Sequence, residues 1–366
     1  MQRPIVPVWS EPRAIGMRRE GVSVRAVAFA ALLTLTGVSD RLLAAEDDPR
    51  RWLEDMERAF VEQPYDGMFT FFSGQELATL RVVHMNINGE PRERLFHMNG
   101  APREILRRGA EVTYRMAAGD SLGGVVETLT GGPLTAAFVR DFAAISRHYE
   151  LRAEGADRIA GRPAQRLVVL PRDADRHGYR LWLDEPSRLL LRSEMLDDRG
   201  QRLEIFQFTQ VAIGSGVDPR ALEPAVLDEP MREVTLSGRS TASEPGSDAA
   251  WMPTWLPPGF TRVTTVVHAI EHAPASATRM LFSDGLADFS LFVEPEPRDQ
   301  AARMPALIES RSGATVTISR LWAGARSVES PVRFTLVGEI PLVTARRILE
   351  SLGPVDRSRA DAGSAP

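Results

Sequence analysis

The sequence predicts an α+β protein of two domains, built mainly from antiparallel strands. After one helical segment, apolar residues recur with a period of two in short runs, and turn signals rich in Gly, Pro, Asn and Asp separate these runs. Residues 227–250 are poor in large apolar groups, which is typical of a linker, and a second series of strand-like runs follows them. A length of 366 residues also fits about two domains.

The composition is that of an ordinary globular chain, with 43% hydrophobic and 25% charged residues. A net charge of −5 argues against a nucleic-acid binder that works by neutralising phosphates. The chain has no cysteine, which excludes disulfides, thiolate nucleophiles and cysteine-based metal sites. It also has no lysine, which excludes Schiff-base and P-loop lysine chemistry.

Residues 1–45 have the pattern of a secretory signal peptide. A basic cluster at residues 17–25 precedes the apolar run Ala26–Val38, and small residues follow. This run is too short to cross a bilayer, which takes about 20 residues. We expect cleavage near Leu43-Ala44-Ala45, with Gly37-Val38-Ser39 as a second candidate. We expect export to the periplasm, because a cysteine-free exported chain is not a disulfide-built secreted domain. An anchor that stays attached is the alternative.

Residues 46–226 form the predicted N-terminal domain, one large antiparallel sheet with helices against it. The first helix is predicted from Pro49 to Gln63, because its apolar residues share one face. A second helical stretch follows Pro133, with Phe138, Phe142 and Ile145 on one face. The predicted strands are 66–72, 80–87, 94–98, 104–106, 112–116, 165–170, 179–183, 189–195 and 203–211.

Residues 251–355 form the predicted smaller C-terminal α/β domain, and residues 356–366 a polar tail. A closing helix is expected after Pro341, where apolar residues again repeat on one face. The predicted strands of this domain are 261–268, 279–282, 289–293, 314–321 and 334–337.

Residues 119–122 match the Gly-Asp-Ser-Leu signature of a serine hydrolase family. A nucleophilic serine needs a base within reach, and that base needs an orienting group. The family supplies both through an Asp-x-x-His element near its C-terminus, and this sequence contains no such element. We therefore favour a turn, and an esterase using Ser121 is the less favoured alternative.

Two further patterns resemble catalytic or metal sites. His268 and His272 have a zinc-binding spacing that works only on a helix, and the β-branched residues before them favour a strand instead. In a strand the two rings lie about 13 Å apart, too far for one zinc ion. Asp284 and Asp288 are paired carboxylates, but Asp284-Gly285 is also a typical turn. We predict no catalytic set, no metal, no cofactor and no enzyme activity.

The predicted N-terminal sheet is unusually rich in Phe and Met. Either these side chains form a plain core, or some of them line an adaptable apolar binding surface, for which Met is well suited. The residues concerned are Phe69, Phe71, Phe72, Phe206, Phe208, Met68, Met85, Met98 and Met116.

Several strings of residues, in order along the chain, carry a resemblance to one family. They include Trp52–Met56, Tyr65–Phe69, Gly178–Asp184, Leu203–Gln210, Trp255–Phe260 and Val337–Pro341. On these strings the chain resembles the RseB/MucB family, periplasmic negative regulators of the sigma-E (AlgU-type) envelope-stress response.

The resemblance implies a fold and a function. The N-terminal domain is expected to be a half-open antiparallel β-barrel with helices, similar to the LolA/LolB lipoprotein carriers, and to sense lipid. The smaller C-terminal α/β domain is expected to bind the anti-sigma factor. The function is to bind the periplasmic region of an RseA/MucA-type anti-sigma factor and protect it from the site-1 protease (DegS-type). A lipid or lipopolysaccharide signal releases it. A periplasmic lipoprotein or lipid carrier is the alternative, and the C-terminal domain discriminates against it.

If the chain has this function, the sequence suggests residues that contact the lipid and residues that contact the anti-sigma factor. The predicted lipid-binding residues are Phe69, Phe71, Met85 and Met98. The predicted partner-binding residues are Trp255, Asp284 and Phe289. No nucleic acid is expected as a partner, and the sequence leaves open whether the chain forms a homo-oligomer.

Overall fold

The structure, a computed structural model, describes residues 48–109, 111–117, 142–225, 231–237, 251–269, 276–303, 305–322 and 331–354. Its helices are α1 (Pro49–Glu62), α2 (Phe142–His148), α3 (Arg298–Ala301) and α4 (Leu342–Glu350), with a 3-10 helix at Pro219–Leu222. None of the helices in these ranges is long and apolar enough to cross a membrane.

The first domain is one open antiparallel sheet of eleven strands. They are β1 (Tyr65–Ser73), β2 (Glu76–Ile87), β3 (Glu90–His97), β4 (Arg103–Arg108), β5 (Glu111–Ala117), β6 (Tyr149–Ile159), β7 (Arg162–Pro171), β8 (Gly178–Asp184), β9 (Leu190–Leu196), β10 (Arg202–Ile213) and β11 (Met231–Ser237). The strand order is β11-β5-β4-β3-β2-β1-β10-β9-β8-β7-β6. The predicted half-open antiparallel barrel is confirmed.

The second domain is a smaller sheet of six strands with α4 against it. Its strands are β13 (Thr261–Ala269), β14 (Ser276–Ser283), β15 (Asp288–Pro295), β16 (Leu307–Ser312), β17 (Thr315–Trp322) and β18 (Val332–Gly338), in the order β13-β14-β15-β18-β17-β16. A separate pair joins β12 (Trp251–Pro253) to β19 (Leu352–Pro354).

Helix α1 begins and ends almost where its sequence pattern predicts. Asp48 caps its N-terminus, because the side chain accepts a hydrogen bond of 3.0 Å from the backbone N–H of Arg50, and Pro49 occupies the first turn. Its apolar face is buried against the first sheet, through Trp52, Leu53, Met56, Ala59 and Phe60. The helix therefore covers one side of the sheet near β1 and β2.

The turn between β2 and β3 shows how local sequence sets strand register. Asn88 and Gly89 both have positive φ, at 56° and 84°, which is the backbone of a two-residue type I′ hairpin. With this turn fixed, His84 pairs with Glu93, and Val82 pairs with Leu95. The Asn-Gly turn thus places the buried side chains of Val82 and Leu95 opposite each other on the inner face.

Three exposed strands differ from the sequence prediction. Residues 231–237, inside the range predicted as a linker, form β11 and pair with β5. The edge strands β6 and β16 also had no predicted counterpart. Most of their side chains are exposed or half-buried, so they lack the alternation of apolar and polar residues by which strands are recognised.

Some predictions fall outside the described residues. These are the signal peptide in residues 1–45, the Gly-Asp-Ser-Leu string with Ser121, the helical position Phe138, His272 and the polar tail 356–366.

Candidate functional site

The inner face of the first sheet is the face on which α1 packs. An aromatic group lies at its centre, where the Phe69 ring is 4.8 Å from that of Phe206 and 6.0 Å from that of Phe208, centroid to centroid. All three rings are fully buried. They form the apolar floor of the half-open barrel.

Next to this floor lies a group of polar side chains, which we call the inner polar cluster: Tyr65, His84, Glu93, Arg107 and Tyr114. The first four stand opposite one another across β1, β2, β3 and β4, because Tyr65 pairs with His84, His84 with Glu93, and Glu93 with Arg107. Tyr114 lies in the neighbouring row, opposite Ile105.

His84 is held in one orientation by two neighbours. Its ring stacks on that of Tyr65 at 5.0 Å with an interplanar angle of 16°. Its Nε2 lies 3.3 Å from the backbone carbonyl of Val61 in α1, where a ring N–H donates. In the neutral imidazole the lone pair is therefore on Nδ1, which lies 3.9 Å from Oε2 of Glu93.

Four atoms of the cluster are buried and lack a hydrogen-bond partner among the described residues: Tyr65 Oη, His84 Nδ1, Glu93 Oε2 and Tyr114 Oη. Leaving a buried polar group unpaired costs about 1–3 kcal/mol. Buried polar atoms without a hydrogen-bond partner are uncommon in folded proteins, so four in one cluster call for an explanation such as a polar binding partner.

Burial drives the cluster toward its uncharged forms. It raises the pKa of Glu93, although the positive charge of Arg107 opposes this shift. It lowers the pKa of His84, against the hydrogen bond to Val61. It raises the pKa of Tyr65 well above the ordinary value, with the charge of Glu93 adding to the effect. The arrangement therefore leaves hydrogen-bonding groups that favour their uncharged forms on the inner face.

A second buried polar group joins the two domains, and we call it the interdomain ion cluster: Arg176, Asp284 and Tyr149. Arg176, in the loop between β7 and β8, donates through Nη1 to Oδ2 of Asp284, in the turn between β14 and β15. Tyr149 Oη donates to the same oxygen at 3.0 Å. Arg176 Nη2 also donates to the backbone carbonyl of Pro258 at 2.6 Å. The side chains of Arg176 and Asp284 are completely buried.

A further contact between the domains surrounds Glu204 on β10. Its Oε1 accepts hydrogen bonds from Ser73 Oγ at 2.8 Å and from the backbone N–H of Ala314 at 3.2 Å. Gly313 fits closely here, since an added Cβ would lie 2.1 Å from Ser73 Oγ. Nearby, burial first and then the charges of Glu204 and Asp288 raise the pKa of Glu339 to about 8.

The structure does not bring the four predicted lipid-binding residues to one surface. Phe69 and Phe71 lie on the inner face, where Phe69 is part of the buried core and Phe71 is half-buried against it. Met85 follows His84 and so points to the opposite face, because side chains alternate along a strand. Met98, at the end of β3, is 45% exposed and lies beside Thr79, again across from the inner face.

Two of the three predicted partner-binding residues are interior. Asp284 belongs to the interdomain ion cluster, and the ring of Phe289 is fully buried and stacks on Phe282 at 5.0 Å. Their placement on a partner surface is therefore corrected. An Asp-Gly turn and an alternating strand look the same in sequence whether a second domain covers them or not. Trp255 is half-buried, with the guanidinium of Arg347 3.7 Å from its ring centroid.

The inner polar cluster and Arg176 were not identified from the sequence. A signal existed for His84, since it continues the alternation of Leu80 and Val82 and so points inward. Its pairing with Glu93 follows from the Asn88-Gly89 turn, whereas its pairing with Tyr65 depends on the register of β1 against β2, which was not predicted from the sequence. Among the described residues, no group of three or more His, Cys, Asp or Glu side chains could hold a metal ion.

The fold and the two clusters define a class: a two-domain protein of antiparallel sheets, joined by a buried ionic contact and carrying a partly polar inner face. Sequence comparison identifies the family within that class. The family profile described as MucB/RseB N-terminal domain matches residues 48–226, and the one described as MucB/RseB C-terminal domain matches residues 245–353. The chain belongs to the MucB/RseB family, which confirms the resemblance read from its strings.

Individual relatives agree with this assignment. The chain is 31% identical to the sigma factor AlgU regulatory protein MucB of Pseudomonas aeruginosa over 308 residues, covering 84% of this chain and 91% of that protein. It is 29% identical to the sigma-E factor regulatory protein RseB of Escherichia coli K12, covering 82% and 89%. A solved structure of MucB in complex with MucA(peri) superposes with a TM-score of 0.66 at 30% identity, covering 84% of this chain and all of that one.

Proposed function

We propose that this protein is a periplasmic regulator that binds the periplasmic region of an RseA/MucA-type anti-sigma factor. Bound there, it protects the anti-sigma factor from the site-1 protease, and a lipid or lipopolysaccharide signal releases it. The observation that supports this proposal is the similarity of both domains, over 84% of the chain, to a MucB that was solved in complex with MucA(peri). The chain reaches this location through a cleaved signal peptide in residues 1–45.

The regulator works by occupancy and transforms no substrate. While it is bound, the cleavage region of the anti-sigma factor is inaccessible to the protease. A lipid that prefers the unbound form shifts the equilibrium by its difference in affinity for the two forms, and about 1.4 kcal/mol changes the ratio tenfold. The named relatives are regulatory proteins, which agrees with a protein without enzyme activity.

Two partly exposed aromatic residues remain as contact candidates. Trp255 in the second domain is proposed to contact the anti-sigma factor, and aromatic residues held in place by neighbours are frequent at the centres of interfaces. Phe71 on the inner face of the first domain is proposed to contact the lipid.

Binding and protection are tested with the mature full-length protein and the periplasmic segment of the anti-sigma factor from the same bacterium. Calorimetry measures the affinity, and the half-life of the segment under a DegS-type protease measures protection. We expect a defined complex and a longer half-life. Failure of the two to associate would overturn the proposal.

Two variants locate the contacts. Trp255→Ala should weaken binding at least tenfold, while Leu77→Ala, which alters an apolar side chain that is 70% exposed in the first domain, serves as the control and should not. Phe71→Asp should abolish lipid-driven release in a folded protein. An ester hydrolysis that is lost in Ser121→Ala would instead favour the esterase alternative.

A further inference from the structure

Strand β16 differs from the other edge strands of the two domains. Within the described residues, the edges of the two large sheets are formed by β6, β11, β13 and β16. An edge strand leaves a row of backbone N–H and C=O groups unpaired, and proteins usually protect it with a bulge or with charged side chains. β6 and β13 each contain a bulge, at residues 153–155 and 262–264, and β11 carries the exposed charges of Arg232 and Glu233. In β16 the pairing with β17 runs without a bulge from Leu307 to Ser312.

The side chains of β16 do not protect its edge either. Leu307 and Ile308 are 54% and 37% exposed, so each face of the strand presents an apolar side chain to solvent. Its two charged side chains bind within the chain: Glu309 accepts from Nε of Arg346 in α4 at 2.7 Å, and Arg311 donates to a nearby backbone carbonyl at 2.9 Å. An edge of this kind is open to pairing with another strand.

The register of β16 identifies the backbone groups that face away from β17. The backbone N–H of Leu321 donates to the carbonyl of Ala306 at 2.8 Å, so these two residues form a hydrogen-bonded pair. Along an antiparallel pair of strands, hydrogen-bonded and non-hydrogen-bonded positions alternate. Every second residue from Ala306 therefore bonds to β17, and the residues between them direct their N–H and C=O groups to the free edge. The residues with free backbone groups are Leu307, Glu309 and Arg311.

The free backbone groups and their location indicate what binds at this edge. Each of the three residues offers one donor and one acceptor, and an extended polypeptide carries the same groups at the same spacing. The edge also adjoins the proposed contact with the anti-sigma factor. Arg346 of α4 pairs with Glu309 of β16, and the guanidinium of the next residue, Arg347, stacks on Trp255. A partner that contacts Trp255 therefore lies close to the edge of β16.

We propose that an extended segment of the periplasmic region of the anti-sigma factor docks on β16 and adds a seventh strand to the smaller sheet. Its main chain hydrogen-bonds to Leu307, Glu309 and Arg311, and its side chains contact Leu307 on one face and Ile308 on the other. This inference rests on the function proposed above, and it names the surface that holds the partner and the conformation in which the partner is held.

Amide hydrogen exchange of the mature full-length protein, followed by NMR, tests the docking without any substitution. In the free protein the three N–H groups that face the free edge should exchange quickly, and those of Ile308 and Ser310 slowly, because only the latter are hydrogen-bonded. The probe is the periplasmic segment of the anti-sigma factor from the same bacterium. At saturation it should slow the exchange of the three fast amides at least tenfold, so that the alternation along β16 disappears.

Glu309→Pro and Glu309→Ala form a matched pair of variants. Both remove the ion pair with Arg346, but only Pro also removes an N–H group that faces the free edge, a position where edge strands tolerate Pro. Calorimetry with the same segment should show binding at least tenfold weaker than wild type for Glu309→Pro and less than twofold weaker for Glu309→Ala. Circular dichroism and thermal unfolding check the fold of both variants. If Glu309→Pro does not fold, the exchange measurement on the wild-type protein decides.

The outcomes separate this inference from the function on which it rests. If the segment binds while the three amides still exchange quickly, or if a folded Glu309→Pro binds it as tightly as Glu309→Ala, docking on β16 is wrong and the proposed function stands. If the three amides are already protected without the segment, and more so as the protein concentration rises, a second copy occupies the edge and the inference fails. If the segment does not bind at all, the proposed function fails and the inference fails with it.

Discussion

The inner polar cluster and the interdomain ion cluster are both buried groups of Tyr, Arg and a carboxylate, yet they differ in how completely they are hydrogen-bonded. In the interdomain cluster, Asp284 accepts from Arg176, from Tyr149 and from two backbone N–H groups at 2.8 and 2.9 Å. In the inner cluster, Tyr65, Glu93 and Tyr114 each keep an unpartnered atom. The first arrangement stabilises the protein, and the second leaves hydrogen-bonding capacity for a ligand.

The comparison shows that burial of polar groups alone does not identify a binding site. Asp284 drew attention in the sequence as one of two paired carboxylates, and its partners turn out to be structural. His84 drew none, and its free Nδ1 makes it the stronger candidate. The number of buried polar atoms without a hydrogen-bond partner distinguishes the inner polar cluster from the interdomain ion cluster.

The largest effect is expected from breaking the interdomain ion cluster. Asp284→Ala removes the acceptor of Arg176 Nη1 and of Tyr149 Oη inside the protein and leaves Arg176 with Asp173 as its remaining carboxylate, and removing one partner of a buried pair costs about 3–5 kcal/mol. Urea unfolding followed by Trp fluorescence measures the loss. Arg152→Ala, which removes an exposed pair with Glu150, is the control and should leave the free energy of unfolding close to that of wild type. Equal losses of unfolding free energy in the two variants would show that the buried cluster stabilises the protein no more than an exposed ion pair does.

Gly313→Ala should have the next largest effect, since the new Cβ collides with Ser73 Oγ and Glu204 Oε1 and also meets a φ of +58°. Gly89→Ala is a matched control: its φ is +84°, but nothing lies within 4 Å of the added atom. The left-handed backbone costs each variant about 1–2 kcal/mol. We expect Gly313→Ala to lose clearly more free energy of unfolding than Gly89→Ala, and equal losses would contradict a tight contact at this point.

A smaller, pH-dependent effect is expected from Glu339, whose pKa rises from 4.5 to about 8 on folding. Between these values the unfolded chain releases the proton and the folded chain keeps it, so the free energy of unfolding falls as the pH rises through this range. Glu339→Gln should flatten that decline in unfolding curves measured from pH 5 to 8.

His177 gives the opposite trend and serves as the internal comparison. Burial, with the charge of Arg311 adding to it, lowers its pKa from 6.5 to about 4. The unfolded chain therefore gains a proton before the folded one as the pH falls from 6.5, and stability decreases in that direction. A Glu339→Gln variant with an unaltered profile above pH 6.5 would refute the assignment to Glu339.

The smallest change is expected from Glu93→Gln in the lipid-free protein. The substitution keeps the shape and removes the carboxylate charge that burial disfavours, so the free energy of unfolding should stay close to that of wild type or increase. The same denaturant titration measures it. A loss of 2 kcal/mol or more would mean that Glu93 has a stabilising partner and that the two clusters are alike.

The sequence predicted those elements whose signal is local. The apolar face of α1 and the Asn88-Gly89 turn depend on a few adjacent residues, and both lie where the pattern placed them. The exposed edge strands β6, β11 and β16 carry no such signal. Met85 was assigned to the wrong face because its residue type was weighed above the alternation that starts at His84. The contact of Arg176 with Asp284 joins residues 108 positions apart, which no local pattern reveals.

The apolar core of the first domain is completed by two residues of the second. Leu286 and Ala314, from turns of the smaller sheet, are buried together with Phe69 and Leu181 in one continuous cluster. Cutting the chain in the linker would therefore expose a hydrophobic gap in the remaining half, much as removing a subunit does in an obligate dimer. If a truncated chain failed to bind the proposed anti-sigma factor, a damaged fold in the remaining half would explain the result as well as a missing contact would. For this protein, point substitutions are therefore a better test of which residues make a contact than truncation is.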